Sequence, residues 1–418
     1  FFLTMFKLVE VQDRKDVGKA LVAAKDLIPL ALGLEVFQEE ALVVFPHHDP
    51  SVLPPWRRTS ALHTSLAESS WSDYLYFKEQ LSEDVQTKIL SLYAEVDGED
   101  ATSSYNFVLP YLDSADEARR FTKLLMVIKL NAVQSASEEE YHGKGLFEVA
   151  CRMAHSCHPN CVWYRSPNGR SQIIRTIQPI QKGDLMTISY LSCDMLIMPT
   201  FVRRLELNQA WNFQCFCSRC ASAQGDDTRS FNCANASCKG YHLVQQLDLD
   251  DHPKMGSCTV CEEEISPSFQ ASLLIREEMV QENMNYVDRV LDSDLPVVDD
   301  ITNMLRTLEP PSLTHGLALQ IYATKSELLE QLNELATAID MQRRWIDCRS
   351  HLLGEDYFDE QTGFALERLG DMMGKAGDEK GALKAYQKAV VAFQTYRGSS
   401  SSYAKCAMNK VASVQNSS

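Results

Sequence analysis

The chain has 418 residues, 45% of them hydrophobic and 23% charged, and a formal net charge of −17. That length exceeds one core and predicts two or three packed domains. The negative balance repels polyphosphate, so it argues against nucleic acid and for a basic protein partner. No apolar run approaches the ~20 residues a membrane-spanning helix needs and no charged-then-apolar leader is present, so the chain reads as soluble, with no membrane partner.

In chain order, Gly18 to Pro46 mixes short apolar runs with turn residues and predicts two or three strands. The proline-rich SVLPPWRRTS then breaks the pattern. Tyr74, Phe77, Leu81, Val85, Ile89 and Leu92 recur at near-helical spacing, predicting a helical stretch from Trp71 to Tyr93. ADEARRFTKLLMVIKLNAV predicts a second helix, with acids in its first turn. From Gly143 the chain returns to β-like pieces, including RSQIIRTIQPI and DLMTISYL. The first half is therefore α+β. In the C-terminal part, Ala338–Gly354 and Ala382–Gly398 form an internal helical repeat of equal length, each copy preceded by another amphipathic stretch. That arrangement predicts helix-turn-helix units like a long tetratricopeptide repeat, which either pack on the rest of the chain or present a peptide-binding groove.

Thirteen cysteines begin only at Cys151, and their close pairing suits metal-bound thiolates in a reducing compartment better than disulfides. Cys233 with Cys238 and Cys258 with Cys261 make a complete set of four ligands for structural zinc, the bland alternative being buried free thiols. His242 and His252 lie between these pairs as possible substitutes, whereas His47 and His48 read as loop. Cys215, Cys217 and Cys220 form C-x-C-x2-C, one thiolate short of a tetrahedron. The stretch RMAHSCHPNC lacks the surroundings of a nucleophile and the second pair of a metal knuckle. It makes sense if Cys157 is the missing ligand, which predicts two zinc ions per chain.

The ordered set of His155-Ser156-Cys157-His158-Pro159-Asn160, then GDLMTISY ending at Tyr190, then Cys215-Phe216-Cys217-Ser218-Arg219-Cys220 resembles the SET-domain lysine methyltransferases, and most of all their SMYD branch. Residues 1–150 hold no cysteine, so the branch's MYND finger is absent, as in the apical-complex lysine methyltransferases of apicomplexan parasites. The resemblance implies an α+β fold in five parts. These are N-terminal SET strands (1–46), a helical insert (47–104), a β-rich core SET domain (105–212), a zinc-binding post-SET region (213–265) and an all-α tetratricopeptide-like domain (266–418).

It also implies S-adenosylmethionine as cofactor, held by the loop Gly18-Lys19-Ala20-Leu21, by Asn131, by Met153, Ala154 and His155, and by Phe213 against the adenine. Tyr190 would be the catalytic residue, touching cofactor and lysine; its plainer reading is a core aromatic. Tyr190 and Trp211 would line the lysine channel. Two departures stand out: Ala154 replaces the motif's usual asparagine, and Ala20 its second glycine. The implied partner is a protein substrate, lysine-rich to suit the acidic tail, with room for a homodimer. The implied location is cytoplasmic or nuclear, or the apical cytoskeleton in the parasite case. A silent SET scaffold that binds partners through its repeats is the alternative.

Overall fold

The computed structural model describes residues 8–15, 18–27, 34–46, 54, 65–136, 141–166, 168–245, 253–291, 299–354 and 359–417. They fall into two compact units of discontinuous sequence. The first takes residues up to 154, 160–188 and 210–212; the second takes 155–159, 189–209 and everything from 213.

The first unit contains β1 (Val9–Arg14), β2 (Gly18–Ala23), β3 (Leu34–Glu40), β4 (Val43–Phe45), α1 (Ser65–Gln80), α2 (Glu83–Leu90), α3 (Glu99–Val108) and α4 (Ala115–Asn131). It continues with β5 (Val133–Ala136), β6 (Tyr141–Leu146), the two-residue β7 (Ala154–His155, ending in the second unit), β8 (Cys161–Arg165), β9 (Ser171–Thr176) and β10 (Thr187–Ile188). Antiparallel pairing gives a β1–β2 hairpin, a three-stranded sheet β3–β9–β8 and another, β4–β6–β5. A register shift between Glu35 and Phe37 lets the consecutive Val36 and Phe37 both turn inward, which strict alternation forbids. Glu39, buried on β3, accepts the N–H groups of Val149 (2.9 Å) and Ala150 (2.7 Å), fixing the turn just before the HSCHPN segment. Burial nonetheless pushes its pKa up.

The predicted strands between Gly18 and Pro46 are β2 to β4. The helical stretch from Trp71 is two helices, because Ser82 is extended and restarts the chain as an N-cap residue. α4 starts at Ser114, whose hydroxyl accepts the N–H of Glu117 (3.1 Å), with Asp116 and Glu117 favourably placed in its first turn. Its buried face, including Phe121, Leu124, Leu125 and Ile128, packs with Tyr74 and Phe77 of α1 in one core cluster. The strand expected over DLMTISYL shrinks to Thr187–Ile188, so Tyr190 lies beyond a strand end and not on it. His47 and His48 lie outside the described residues.

The second unit contains α5 (Thr200–Trp211, its last two residues counted with the first unit), β11 (Asp226–Asn232), β12 (Tyr241–Val244), α6 (Pro267–Leu291), α7 (Asp299–Thr307) and α8 (Gly316–Gln331). The helices continue as α9 (Leu335–Leu353), α10 (Glu360–Lys375), α11 (Glu379–Arg397) and α12 (Ser402–Ser417). The two repeat copies are α9 and α11. Their shared closing glycines, Gly354 and Gly398, have φ of 103° and 82°, which explains why the same residue ends both. The turn into α10 is held by a buried ion pair of Arg349 with Asp359, and Asp359 also caps α10 by accepting Thr362 N–H at 2.8 Å. The same guanidinium donates to the Cys193 carbonyl at 3.2 Å. No helix among the described residues is long and apolar enough to cross a membrane.

Candidate active site and metal centres

Cys157, Cys215, Cys217 and Cys220 come together in the second unit, their sulfurs all within 4.8 Å of one another. Cys157 and Cys220 are 3.5 Å apart, sulfur to sulfur. That is no disulfide, and it is near the edge, about 3.8 Å, of a tetrahedron built on ~2.3 Å Zn–S bonds. Cys233, Cys238, Cys258 and Cys261 form a second such group, with Cys233–Cys261 and Cys238–Cys258 both at 3.6 Å. The donor sets of both clusters therefore fit a zinc ion each.

Local structure explains each cluster. α5 carries Arg203 and Arg204 into the first. Arg204 donates to the carbonyls of Cys215 (3.1 Å) and Cys220 (3.0 Å), fixing the C-x-C-x2-C loop. Arg203 is fully buried and its guanidinium lies 3.6 Å from the Cys220 sulfur, so a cation offsets the charge of clustered thiolates. Hydrogen bonding from Cys157 draws the Cys217 thiol far below its ordinary range and Cys220 to about 7, while Cys157 and Cys215 are pushed up. Thiolates, not thiols, bind a metal, so a dication held here would displace the remaining thiol protons. In the second cluster the Gly240 N–H points at Cys238 sulfur (3.3 Å), and a Cβ on Gly240 would sit 2.5 Å from Cys258 sulfur, so only glycine fits this turn. The His242 Nδ1 lies 3.0 Å from the Gly256 carbonyl and the cluster is complete without it; His252 is outside the described residues.

His155 connects the first cluster to Tyr190. Its Nδ1 accepts the Tyr190 backbone N–H at 3.0 Å, which requires the proton on Nε2, and Nε2 stands 3.3 Å from the Cys157 sulfur as donor. Burial lowers the imidazole pKa to about 4, so the ring is neutral at pH 7. Its ring centroid lies 5.3 Å from Tyr190 and 5.9 Å from Phe213, and the last two meet edge to face at 6.2 Å and 88°. Three expected site residues, His155, Tyr190 and Phe213, thus form one aromatic group.

The other expected residues belong to the first unit. Lys19 is exposed on β2, paired in register with Asp13, while Ala20 and Leu21 are buried. Leu21 and Met153 share a core cluster, and Gly18 pairs with Arg14 at the hairpin end. Ala154 is half-buried. The Asn131 amide donates to the carbonyls of Tyr93 (2.7 Å) and Val127 (2.8 Å), leaving its oxygen as the remaining polar atom. Trp211 ends α5, just before Asn212 with φ of 59°. Asn160 was read from the sequence only as part of the motif, with no role of its own. Its side chain locks the end of the HSCHPN segment to the strand backbone, donating to Leu185 carbonyl and accepting Thr187 N–H, both at 2.8 Å.

Residues 38–191 match the SET domain family. A SET and MYND domain-containing protein of Dictyostelium discoideum is 31% identical over 129 residues, which is 27% of this chain and 30% of that protein. The histone-lysine N-methyltransferase ASHR1 of Arabidopsis thaliana is 24% identical over 270 residues, 60% of this chain and 50% of its own length. The human histone-lysine N-methyltransferase SMYD3 is 36% identical over 90 residues, 22% of this chain and 20% of its own. The chain therefore spans half or less of the length of these relatives.

Proposed function

We propose that this chain, a SET-domain protein of the SET and MYND kind, is an S-adenosylmethionine-dependent protein-lysine N-methyltransferase. The observation that carries the reading is His155, which ties Tyr190 and Phe213 to a four-cysteine cluster inside and just beyond the matched domain. The two clusters are read as structural zinc sites and α8 to α12 as a tetratricopeptide-like tail. The protein substrate is expected to be lysine-rich, and self-pairing into a homodimer remains part of the reading.

When bound, the cofactor supplies a methyl group on a positively charged sulfur. An aromatic group of three rings suits such a cation and a flat purine. Asn131, with both amide hydrogens committed, offers an acceptor for an amine or ammonium. Met153, Ala154 and His155 offer backbone groups, and Lys19 a cation for a carboxylate. Tyr190 is held at its backbone by His155, and its ring lies against those of His155 and Phe213. A phenol fixed in this way aligns a neutral lysine amine by one hydrogen bond, and positioning of that kind supplies much of the rate. No strong base is needed, because a dry channel near positive charge favours the neutral amine. Trp211 is assigned to the wall of that channel.

Ala154 favours a second reading: a methyl replaces the amide expected of the motif, which suits a silent scaffold. A radiolabelled-methyl assay on basic proteins, with calorimetry of cofactor binding, separates the two. The enzyme reading expects transfer that falls on the order of 100-fold in Tyr190→Phe with KM for the cofactor unchanged. Near wild-type transfer by Tyr190→Phe would remove Tyr190 from the chemistry. Absence of both binding and transfer in the wild type would leave the scaffold.

A further inference from the structure

We propose that Cys261, in the second cysteine cluster, is a site of oxidation by hydrogen peroxide, and that its pairing with Cys233 in a disulfide releases that cluster's zinc while the first cluster keeps its own. No part of the methyl-transfer site is involved. The two clusters share a donor set and differ in cover. In the first, Cys157, Cys215 and Cys220 are 1%, 3% and 0% exposed, and only Cys217 is half-buried. Arg203 and His155 also face the sulfurs there, and a donor or cation against a thiolate draws off the electron density it would offer an electrophile. In the second, Cys233 and Cys258 are buried, Cys238 is half-buried, and Cys261 is exposed.

Local structure explains that exposure. Cys258 and Cys261 sit on a knuckle in which the Cys258 N–H donates to the Glu263 carbonyl (2.9 Å) and the Glu262 N–H to the Cys258 carbonyl (3.1 Å), with Glu262 at φ of 59°. Every residue from Thr259 to Glu264 is exposed, Val260 by 68%. Cys261 thus lies on a tight turn presented to solvent. A cysteine bound to zinc is already a thiolate, the form that attacks. Three carboxylates, Glu262, Glu263 and Glu264, follow it and repel anionic oxidants, whereas hydrogen peroxide is small and uncharged.

The Cys233 sulfur lies 3.6 Å from that of Cys261, against ~2.05 Å in a disulfide, so about 1.5 Å of side-chain movement closes the bond. In the first step the Cys261 thiolate attacks one peroxide oxygen; the S–O bond forms, the O–O bond breaks, and the departing hydroxide takes a proton from solvent. Cys261 is then a sulfenic acid. The Cys233 thiolate attacks its sulfur, the S–S bond forms, the S–O bond breaks, and a second hydroxide leaves, to be protonated in turn. The two sulfurs together have lost two electrons and one peroxide has gained them. Zinc keeps only Cys238 and Cys258, half of the tetrahedron a structural site needs, and departs. A dithiol reverses the disulfide by exchange, after which zinc returns. β11 ends beside Cys233 and is tied by Arg229 to Glu277 of α6 and by Ser230 to Ser312 and Thr314, so oxidation loosens the root of the helical tail.

The test uses the full chain loaded with zinc at both clusters, treated with hydrogen peroxide beside a colorimetric chelator, with no S-adenosylmethionine present. Failure here therefore leaves the methyltransferase reading untouched, and the reverse also holds. One of the two ions should leave, and peptide mass spectrometry should find Cys233 joined to Cys261, with Cys157, Cys215, Cys217 and Cys220 unmodified. The melting temperature should fall on oxidation and recover with dithiothreitol and zinc. Cys261→His keeps a ligand set of three cysteines and one histidine without the exposed thiolate, so its second ion should leave at least ~10-fold more slowly. Retention of both ions, their release together, or a disulfide other than that of Cys233 with Cys261 would overturn the proposal. So would wild-type release from Cys261→His. If that variant holds only one ion as purified, the disulfide mapped in the wild type decides the matter alone.

Discussion

Two substitutions at His155 divide the work of its ring. His155→Asn keeps an acceptor near Nδ1 for the Tyr190 N–H but loses the donor that faces Cys157 at 3.3 Å. His155→Gln, one carbon longer, keeps a donor toward Cys157 and loses the acceptor. Donors to metal ligands commonly change metal affinity by about 10- to 100-fold, so His155→Asn should give up zinc to a colorimetric chelator that much more readily. Losing the acceptor strands one backbone N–H, at a cost of about 1–3 kcal/mol if buried. Tyr190 is half-buried, so the lower part of that range applies, and turnover in His155→Gln should fall roughly 5- to 30-fold with zinc retained. If the asparagine variant holds zinc as tightly as wild type and the glutamine variant turns over at full rate, the ring merely fills space and the proposed connection is wrong.

Metal analysis should find two zinc ions per chain, falling to one in Gly240→Ala, whose Cβ would strike the Cys258 sulfur; two ions in that variant would mean the turn tolerates a side chain. Cys217→Ser should abolish transfer along with its ion, whereas Cys238→Ser should lower chiefly the melting temperature. Asp359→Ala removes the carboxylate facing the buried Arg349 and uncaps α10, which should cost about 4–6 kcal/mol in denaturation, with Arg349→Met in the same chain restoring much of it. A loss below about 1 kcal/mol would show that the pair stabilises nothing. Burial alone would raise the Glu277 carboxyl, but Arg229 and His315 outweigh it and hold the pKa at about 2, below the ordinary 4.5. A depressed carboxyl stabilises the fold above its unfolded value, so this contribution, about 3 kcal/mol, is complete above pH 4.5 and disappears as pH falls toward 2. Glu277→Gln should flatten that acid limb.

The cysteine sets were the most legible feature, because chelate spacing is local: C-x-C-x2-C announces three ligands whatever surrounds it. Cys157 was legible only as the thiol left over, and the geometry does bring it to the other three. α4 could be read from its acidic first turn and apolar spacing, and the helical repeat from its matching ends. The short break at Ser82 was hidden, since the apolar spacing continues through it and the interruption is purely a backbone matter. Arg203 was invisible for another reason. An arginine on a helix reads as surface, and its full burial is balanced by the assembled thiolates, by Asp226 and by bonds to the Met198 carbonyl and the Thr200 hydroxyl.

The separation of Cys157 from Cys220 by 63 residues has a consequence for how the protein is made. A ribosome adding ~5–20 residues per second needs roughly 3 to 13 s to pass from one to the other, and until then no complete ligand set exists. Cys157 emerges as a lone thiol beside a histidine that has no tyrosine yet to hold. Metal loading at this site would therefore be a late step of synthesis, open only once Cys220 has joined the chain.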